Sequence, residues 1–277
     1  MTERFSVEWL ALREPFDHAA RSAVLARRLA AMLPRRPRLA DLGAGTGSLF
    51  RFLAPIIGRG QDWLLIDADE GLLDEAFGRT AVWARRRGFA ATAERDELLL
   101  STPHGLWRMR VVARDIASYD EDEVDAVVTS ALLDLVSAAW LARLCDGLRV
   151  PFLACLNADG RDTWRPRHRH DALVRSAFRR DMRGHKGFGP ALGVTASRFL
   201  AARGAIASAP SDWRIPRGAL AMQRALIDAT ADAARGVYPA RADAIAEWQE
   251  ARLRQALHGR LAITIGHRDI LALPPEG

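Results

Sequence analysis

The stretch DLGAGTG places Asp41, Gly43, Gly45 and Gly47 within seven residues. Glycines at that density, between an apolar run and a helical pattern, let backbone approach a ligand, because no Cβ stands in the way and positive φ is permitted. A dinucleotide fingerprint, G-x-G-x-x-G, would need its third glycine at position 48, which is Ser48. The pattern here is G-x-G-x-G, and an acid ends the strand ahead of it. A carboxylate at Asp41 suits a ligand carrying an ammonium group better than one carrying a pyrophosphate, which points to an amino-acid-bearing nucleoside. Asp67 follows Gly47 by twenty residues, the distance at which an acid ending the next strand accepts both ribose hydroxyls.

With Asp115 closing a third strand pattern, this ordered set resembles the class I S-adenosylmethionine-dependent methyltransferases over residues 39–159. The resemblance implies that Asp41, Gly43, Gly45 and Gly47 surround the amino-acid part of S-adenosylmethionine. Asp67, with Ala68 beside it, would hold the ribose. Asp115 would accept from the adenine amine, and the Ile116 amide would meet a ring nitrogen. Ser130, Ala131 and Leu132, ending the fourth strand, would lie beside the methyl group, and the product would be S-adenosyl-L-homocysteine.

Methyl transfer needs a base only when the acceptor is a hydroxyl or a protonated nitrogen. Asp134, four residues beyond Ser130, can serve there or can cap the helix that follows. No Asn/Asp-Pro-Pro-Tyr tetrapeptide follows the fourth strand, as in enzymes methylating nucleic-acid amines, and no Pro-Cys supplies the nucleophile of cytosine-C5 enzymes. Residues 165–186 concentrate arginine and histidine directly after the fifth strand, where ligands of open α/β sheets bind. Three readings apply to that stretch: a solvated basic helix, a clamp for a carboxylate or phosphate, or a track for an RNA backbone. The expected substrate contacts are Asn157, Arg167, Arg169, His185 and Lys186. His168, His170 and Asp171 lack further spaced ligands for a metal. Asn157 and Asp159, taken with Asp134, are only loosely similar to the oxygen ligands of magnesium-dependent catechol-type methyltransferases. No metal is expected.

The elements that must position these groups alternate. Strand patterns at residues 38–42, 62–67, 106–115, 124–130 and 150–159 are interleaved with helical ones, which predicts an α/β, Rossmann-like doubly wound, mostly parallel seven-stranded sheet. Residues 97–115 read as a hairpin around Pro103 and Gly105. Residues 205–213 hold a sixth strand, and residues 260–275 a last strand or hairpin. One domain, 1–277, is expected. It has an N-terminal helical cap at 1–36, a core at 37–216 and 260–277, and a helical insertion at 217–259 before the last strand.

The chain has 277 residues, 40 Lys and Arg against 34 Asp and Glu, and a net charge of +6, yet Lys186 is its sole lysine. Such one-sided usage looks like genome composition bias, so the positive field is compatible with RNA without requiring it. Cys145 and Cys155 read as two buried small side chains. No apolar run could span a bilayer and the N-terminus lacks a signal-peptide layout, so a cytoplasmic protein without membrane attachment is expected. The reading that results is a methyltransferase that transfers to an oxygen or nitrogen of a small anionic metabolite. The alternatives are an RNA base or ribose methyltransferase, or an S-adenosylmethionine-binding accessory protein without turnover.

Overall fold

A computed structural model describes residues 5–273 apart from 95, 120–122, 187–188 and 203–204, with no side-chain description at 118, 185, 186, 189 and 205. The chain opens with two helices, α1 (Val7–Ala20) and α2 (Ala23–Met32), started by Ser6 and Ser22, whose hydroxyls accept from the amides of Trp9 and Leu25. The α/β alternation follows as β1 (Arg38–Leu42), α3 (Ser48–Ile57), β2 (Gln61–Asp67) and α4 (Glu70–Arg86). Three strands, β3 (Ala90–Glu94), β4 (Glu97–Thr102) and β5 (Gly105–Ala113), then form an antiparallel run. β6 (Ala126–Ser130), α5 (Ala138–Gly147) and the long β7 (Phe152–Arg165) come next, and then α6 (Asp171–Asp181). A two-residue-armed hairpin, β8 (His185–Lys186) with β9 (Gly189–Pro190), leads to α7 (Ala196–Ala201), β10 (Ala205–Pro210) and β11 (Trp213–Ile215). The helical pair α8 (Leu220–Val237) and α9 (Ala242–Leu257) precedes β12 (Ala262–Ala272).

The main sheet has ten strands in the order β10-β12-β7-β6-β1-β2-β5-β4-β3, with β11 also paired to β12. Its central five, β7 to β5 in that order, are mutually parallel, and the strands added at both edges are antiparallel. The order reverses between β1 and β6, so their carboxyl ends diverge and leave a crevice there. Successive residues of the parallel strands face opposite sides. Leu39, Val128 and Leu153 join one buried cluster, while Ala40, Val127 and Ala154 join the other.

The doubly wound fold matches the expectation, and three details differ from it. The sheet has ten strands where seven were expected, because the hairpin's first arm β4 and the short, exposed β3 join it and the sixth strand divides into β10 and β11. The fifth strand runs on to Arg165, because β12 pairs with it along its whole length, from Ala262 opposite Arg165 to Ala272 opposite Phe152. The helix after β6 starts only at Ala138, since Ala131 turns the chain at φ 54° and Ser137 caps α5 by accepting from Trp140 N. Pro55 lies inside α3, which ends two residues later at Ile57 and is capped by Gly58 in the left-handed region. Among the described residues no helix is long and apolar enough to cross a membrane.

Candidate active site

The glycine loop leaves β1 and crosses the end of β2. The amides of Gly43 and Ala44 donate to Ile66 O at 2.9 and 3.1 Å. Gly45 N donates to Asp67 Oδ2 at 2.8 Å, and Asp69 N donates to Asp67 Oδ1 at 3.0 Å. Gly45 sits at φ +51°, and a Cβ there would lie 3.3 Å from Leu10 Cδ1 on α1, so a side chain would strain the backbone and crowd the cap helix. Gly47, at φ +77°, starts α3 in the left-handed region. Burial pushes the Asp67 carboxyl up from its ordinary value, against the opposing effect of the amides that donate to it.

A cavity of about 590 Å³ lies over this loop. All the cofactor residues expected from the sequence line it except Gly47, which packs behind the loop against Ala76 and Leu65. Asp115 is exposed, and its Oδ1 accepts from Ala117 N at 2.8 Å, so it also caps a single 3₁₀ turn. Asp41 is 1 % exposed, and its Oδ2 has no hydrogen-bond partner. Its carboxyl is pushed up to about 8 by burial, with the nearby Arg21 guanidinium acting in the opposite direction and Asp67 adding to the rise. A buried, incompletely paired carboxylate on the cavity wall, a loop with no side chains over it, and an acid at the end of β2 fit a ligand with an ammonium group and a ribose.

The helical cap expected at residues 1–36 supplies one wall of this cavity. Arg13, Asp17 and Arg21 of the N-terminal helices line it. Arg13 pairs with Asp17, with Nε–Oδ2 at 2.9 Å, and Asp17 also accepts from Trp213 Nε1 at 2.9 Å. Arg21, 5 % exposed, donates to the hydroxyls of Ser48 and Ser130. Arg13 and Asp17 stand at helical i,i+4 spacing, whereas spacing carried no signal for the bonds to Trp213, Ser48 and Ser130, which join the cap to residues remote in sequence.

A second cavity of about 540 Å³ adjoins the first and shares Phe5, Arg13, Ala131 and Leu135 with it. Its walls are the outer half of β7, the start of β12, and helices α1, α6 and α8. Asp134 lines it. Ser137, not Asp134, caps α5, so the capping role weighed for Asp134 belongs to its neighbour. The expected substrate residues are placed otherwise. Asn157 is fully buried between β7 and β12, its amide donating to Ala154 O and Arg268 O at 3.0 and 2.9 Å, and it lines neither cavity. Arg167 is exposed and Arg169 pairs with Glu247; neither reaches a cavity wall, because the chain turns away at Arg165 to start α6. The side chains of His185 and Lys186 lie outside the described residues. His267, for which sequence offered no signal beyond a lone histidine in an alternating strand, lines the second cavity.

No family model and no curated protein matches this chain. Among solved structures it resembles a protein from Anaeromyxobacter dehalogenans provisionally assigned as a type II methyltransferase. That match has a TM-score of 0.51 at 17 % identity and covers 92 % of this chain and 97 % of the other. A SAM-dependent methyltransferase from Thiobacillus denitrificans, solved with S-adenosyl-L-homocysteine, matches at a TM-score of 0.47 and 16 % identity, over 98 % of this chain and 100 % of that one. The fold is the Rossmann-like fold of class I methyltransferases.

Proposed function

We propose that this chain is an S-adenosylmethionine-dependent methyltransferase that acts on an oxygen or nitrogen of a small molecule. The observation that carries the reading is the coupling of two cavities. One is built on the glycine loop and the two acids Asp41 and Asp67, and it meets a second along the wall formed by Phe5, Arg13, Ala131 and Leu135. Bound in the first, the donor supplies an electrophilic methyl group on a sulfonium. The protein's part is positioning, which accounts for much of the rate in such displacements.

Each element of the first cavity has a counterpart in the ligand. Asp41 offers its buried Oδ2 to an ammonium group. Asp67, held at both oxygens by the amides of Gly45 and Asp69, keeps further lone pairs for ribose hydroxyls. Ile116, 5 % exposed, and Leu132, 8 % exposed, supply apolar wall for adenine, and Asp115 an acceptor for its amine. Asp134, on the wall of the second cavity, is the candidate to take a proton from the acceptor atom.

Calorimetry with S-adenosylmethionine, S-adenosyl-L-homocysteine and NAD tests the cofactor assignment: binding of the first two and not the third is expected. Transfer of labelled methyl from S-adenosylmethionine into the low-mass fraction of a lysate is the expected activity. Labelled product that RNase destroys would identify an RNA methyltransferase instead. Binding without any transfer would leave an accessory protein.

A further inference from the structure

The second cavity has a wall whose chemistry goes beyond size. Trp9, Trp164, Trp213, Trp248 and Phe178 contribute aromatic surface, with Leu226 of α8 on the far side. The volume of about 540 Å³ is that of a small-molecule site. Charged side chains also reach this wall, and most of its arginines are held in ion pairs. Arg175 pairs with Asp162, Asp171 with Arg252, and Arg13 with Asp17, while Arg161 lies 2.6 and 2.7 Å from Asp159 and Asp212. Arg179 donates to Gly160 O. An anion entering here would have to draw guanidiniums out of pairs already made.

A cationic ligand meets the opposite obstacle. Aromatic walls attract ammonium groups through ring faces. At three of these rings that position is taken by the protein's own guanidiniums: Arg13 lies 4.7 Å above Trp213, and Arg252 lies 5.7 Å from the ring centres of both Trp164 and Trp248. The cavity therefore favours neither sign of charge.

A histidine on the wall is left incompletely hydrogen-bonded. His267 is 6 % exposed, its ring packs 4.9 Å from Trp213, and its Nδ1 is buried without a hydrogen-bond partner. Burial holds its proton affinity down to about 4, reinforced by Arg13. Asp17 on α1, Asp159 on β7 and Asp212 between β10 and β11 act in the opposite sense. The imidazole is neutral at pH 7, with one ring nitrogen a donor and the other an acceptor. A hydroxyl both donates and accepts, so it satisfies Nδ1 in either tautomer.

Resting on the methyl-transfer reading, we infer that the second cavity receives an uncharged, largely apolar aromatic acceptor whose hydroxyl hydrogen-bonds to His267. His267 is thus a specificity-determining residue. The anionic acceptor expected from the arginine-rich stretch gives way, because Arg167 and Arg169 lie outside the cavity and the arginines inside it are engaged, Arg13, Arg161 and Arg175 with carboxylates and Arg179 with the Gly160 carbonyl.

The test uses the full chain loaded with S-adenosyl-L-homocysteine at pH 7 and four probes of one shape: 2-naphthol, naphthalene, 2-naphthoate and 2-naphthyltrimethylammonium, each measured by calorimetry. 2-Naphthol is expected to bind about tenfold more tightly than the other three. His267→Leu should abolish its advantage over naphthalene while leaving the naphthalene and S-adenosyl-L-homocysteine affinities unchanged, and His267→Gln should restore part of it. Preferential binding of the carboxylate or the ammonium probe overturns the inference. So does failure of all four probes in protein that binds S-adenosyl-L-homocysteine, or a naphthol preference that survives in His267→Leu. Failure to bind S-adenosyl-L-homocysteine would instead sink the methyl-transfer reading, so the two failures are distinguishable.

Discussion

Arg21, at the end of α1, donates to the Ser130 hydroxyl from both Nε and Nη2, at 3.3 and 3.0 Å. This bond ties the helical cap to the carboxyl end of β6. The third nitrogen, Nη1, donates to the Ser48 carbonyl and hydroxyl at 3.2 and 3.0 Å, so one buried guanidinium joins the cap, the start of α3 and the β6 terminus.

Replacing Arg21 by leucine would leave both serine hydroxyls unpaired and remove the cation nearest Asp41. The expected cost is about 2 kcal/mol or more, which in a chain of this size lowers the melting temperature by roughly 5 °C. Affinity for S-adenosyl-L-homocysteine should fall as well, since the cap forms one wall of its cavity. A thermal scan with a parallel titration checks both; an unchanged affinity would show that the cap is not part of the cofactor site.

Asp41 couples cofactor binding to protons. Its carboxyl is raised from 3.8 to about 8 in the folded protein. Between those values the folded state keeps a proton that the unfolded chain has lost, so stability falls as pH rises through the window and levels off above it. An ammonium group placed beside Asp41 favours the ionised form. S-adenosyl-L-homocysteine should therefore bind with proton release at pH 7, and more tightly at pH 8 than at pH 6. Calorimetry in buffers of different ionisation enthalpy measures the released proton directly, and Asp41→Asn should abolish it.

Gly45→Val and Asp67→Ala probe the loop from its two sides. Valine at 45 would have to hold φ +51° with Cβ 3.3 Å from Leu10 Cδ1, and alanine at 67 leaves the Gly45 and Asp69 amides without their acceptor. Either change should weaken S-adenosyl-L-homocysteine by at least about tenfold, consistent with a loss of roughly 1–3 kcal/mol. Equal affinity in the Asp67 variant would remove Asp67 from the ribose site.

Asp134→Asn and the double variant Arg167→Gln with Arg169→Gln separate the two acceptor readings. The first should lower kcat by about a hundredfold or more if Asp134 takes the proton, with cofactor affinity unchanged. The second changes exposed or surface-paired groups and should leave KM for the acceptor close to wild type. A large rise in KM in the double variant would restore the anion clamp.

Transfer should persist in EDTA. Of the acids on the second cavity Asp162 and Asp171 are paired with arginines, and no group of three or more His, Cys, Asp or Glu side chains among the described residues could hold a metal ion. Loss of activity in EDTA, regained with magnesium, would contradict this.

Much of this protein is legible in one dimension. The glycine loop, the acids ending β2 and β5 and the α/β alternation are local patterns, because backbone conformation and strand ends are set by residues close in sequence. They sufficed to locate the first cavity and all but one of its expected contacts. Asp134, on the wall of the second cavity, was left between two roles by its spacing, and only the hydrogen bond from Trp140 N to Ser137 Oγ assigned the cap. The acceptor wall could not be read at all. Trp9, Trp164, Trp213, Trp248 and His267 come from α1, β7, β11, α9 and β12, and they meet because β12 pairs with β7 out to Arg165 and carries the helical insertion back over it. Residues 165–186 show the same dependence: a linear count records arginines but not Glu247 and Asp162, brought from elsewhere in the chain, which pair with Arg169 and Arg175. Sequence alone determined the fold and the place of the cofactor loop, through local geometry. Tertiary structure decided which charges remain available and what the second cavity can hold, since pairing and burial are properties of residues distant along the chain.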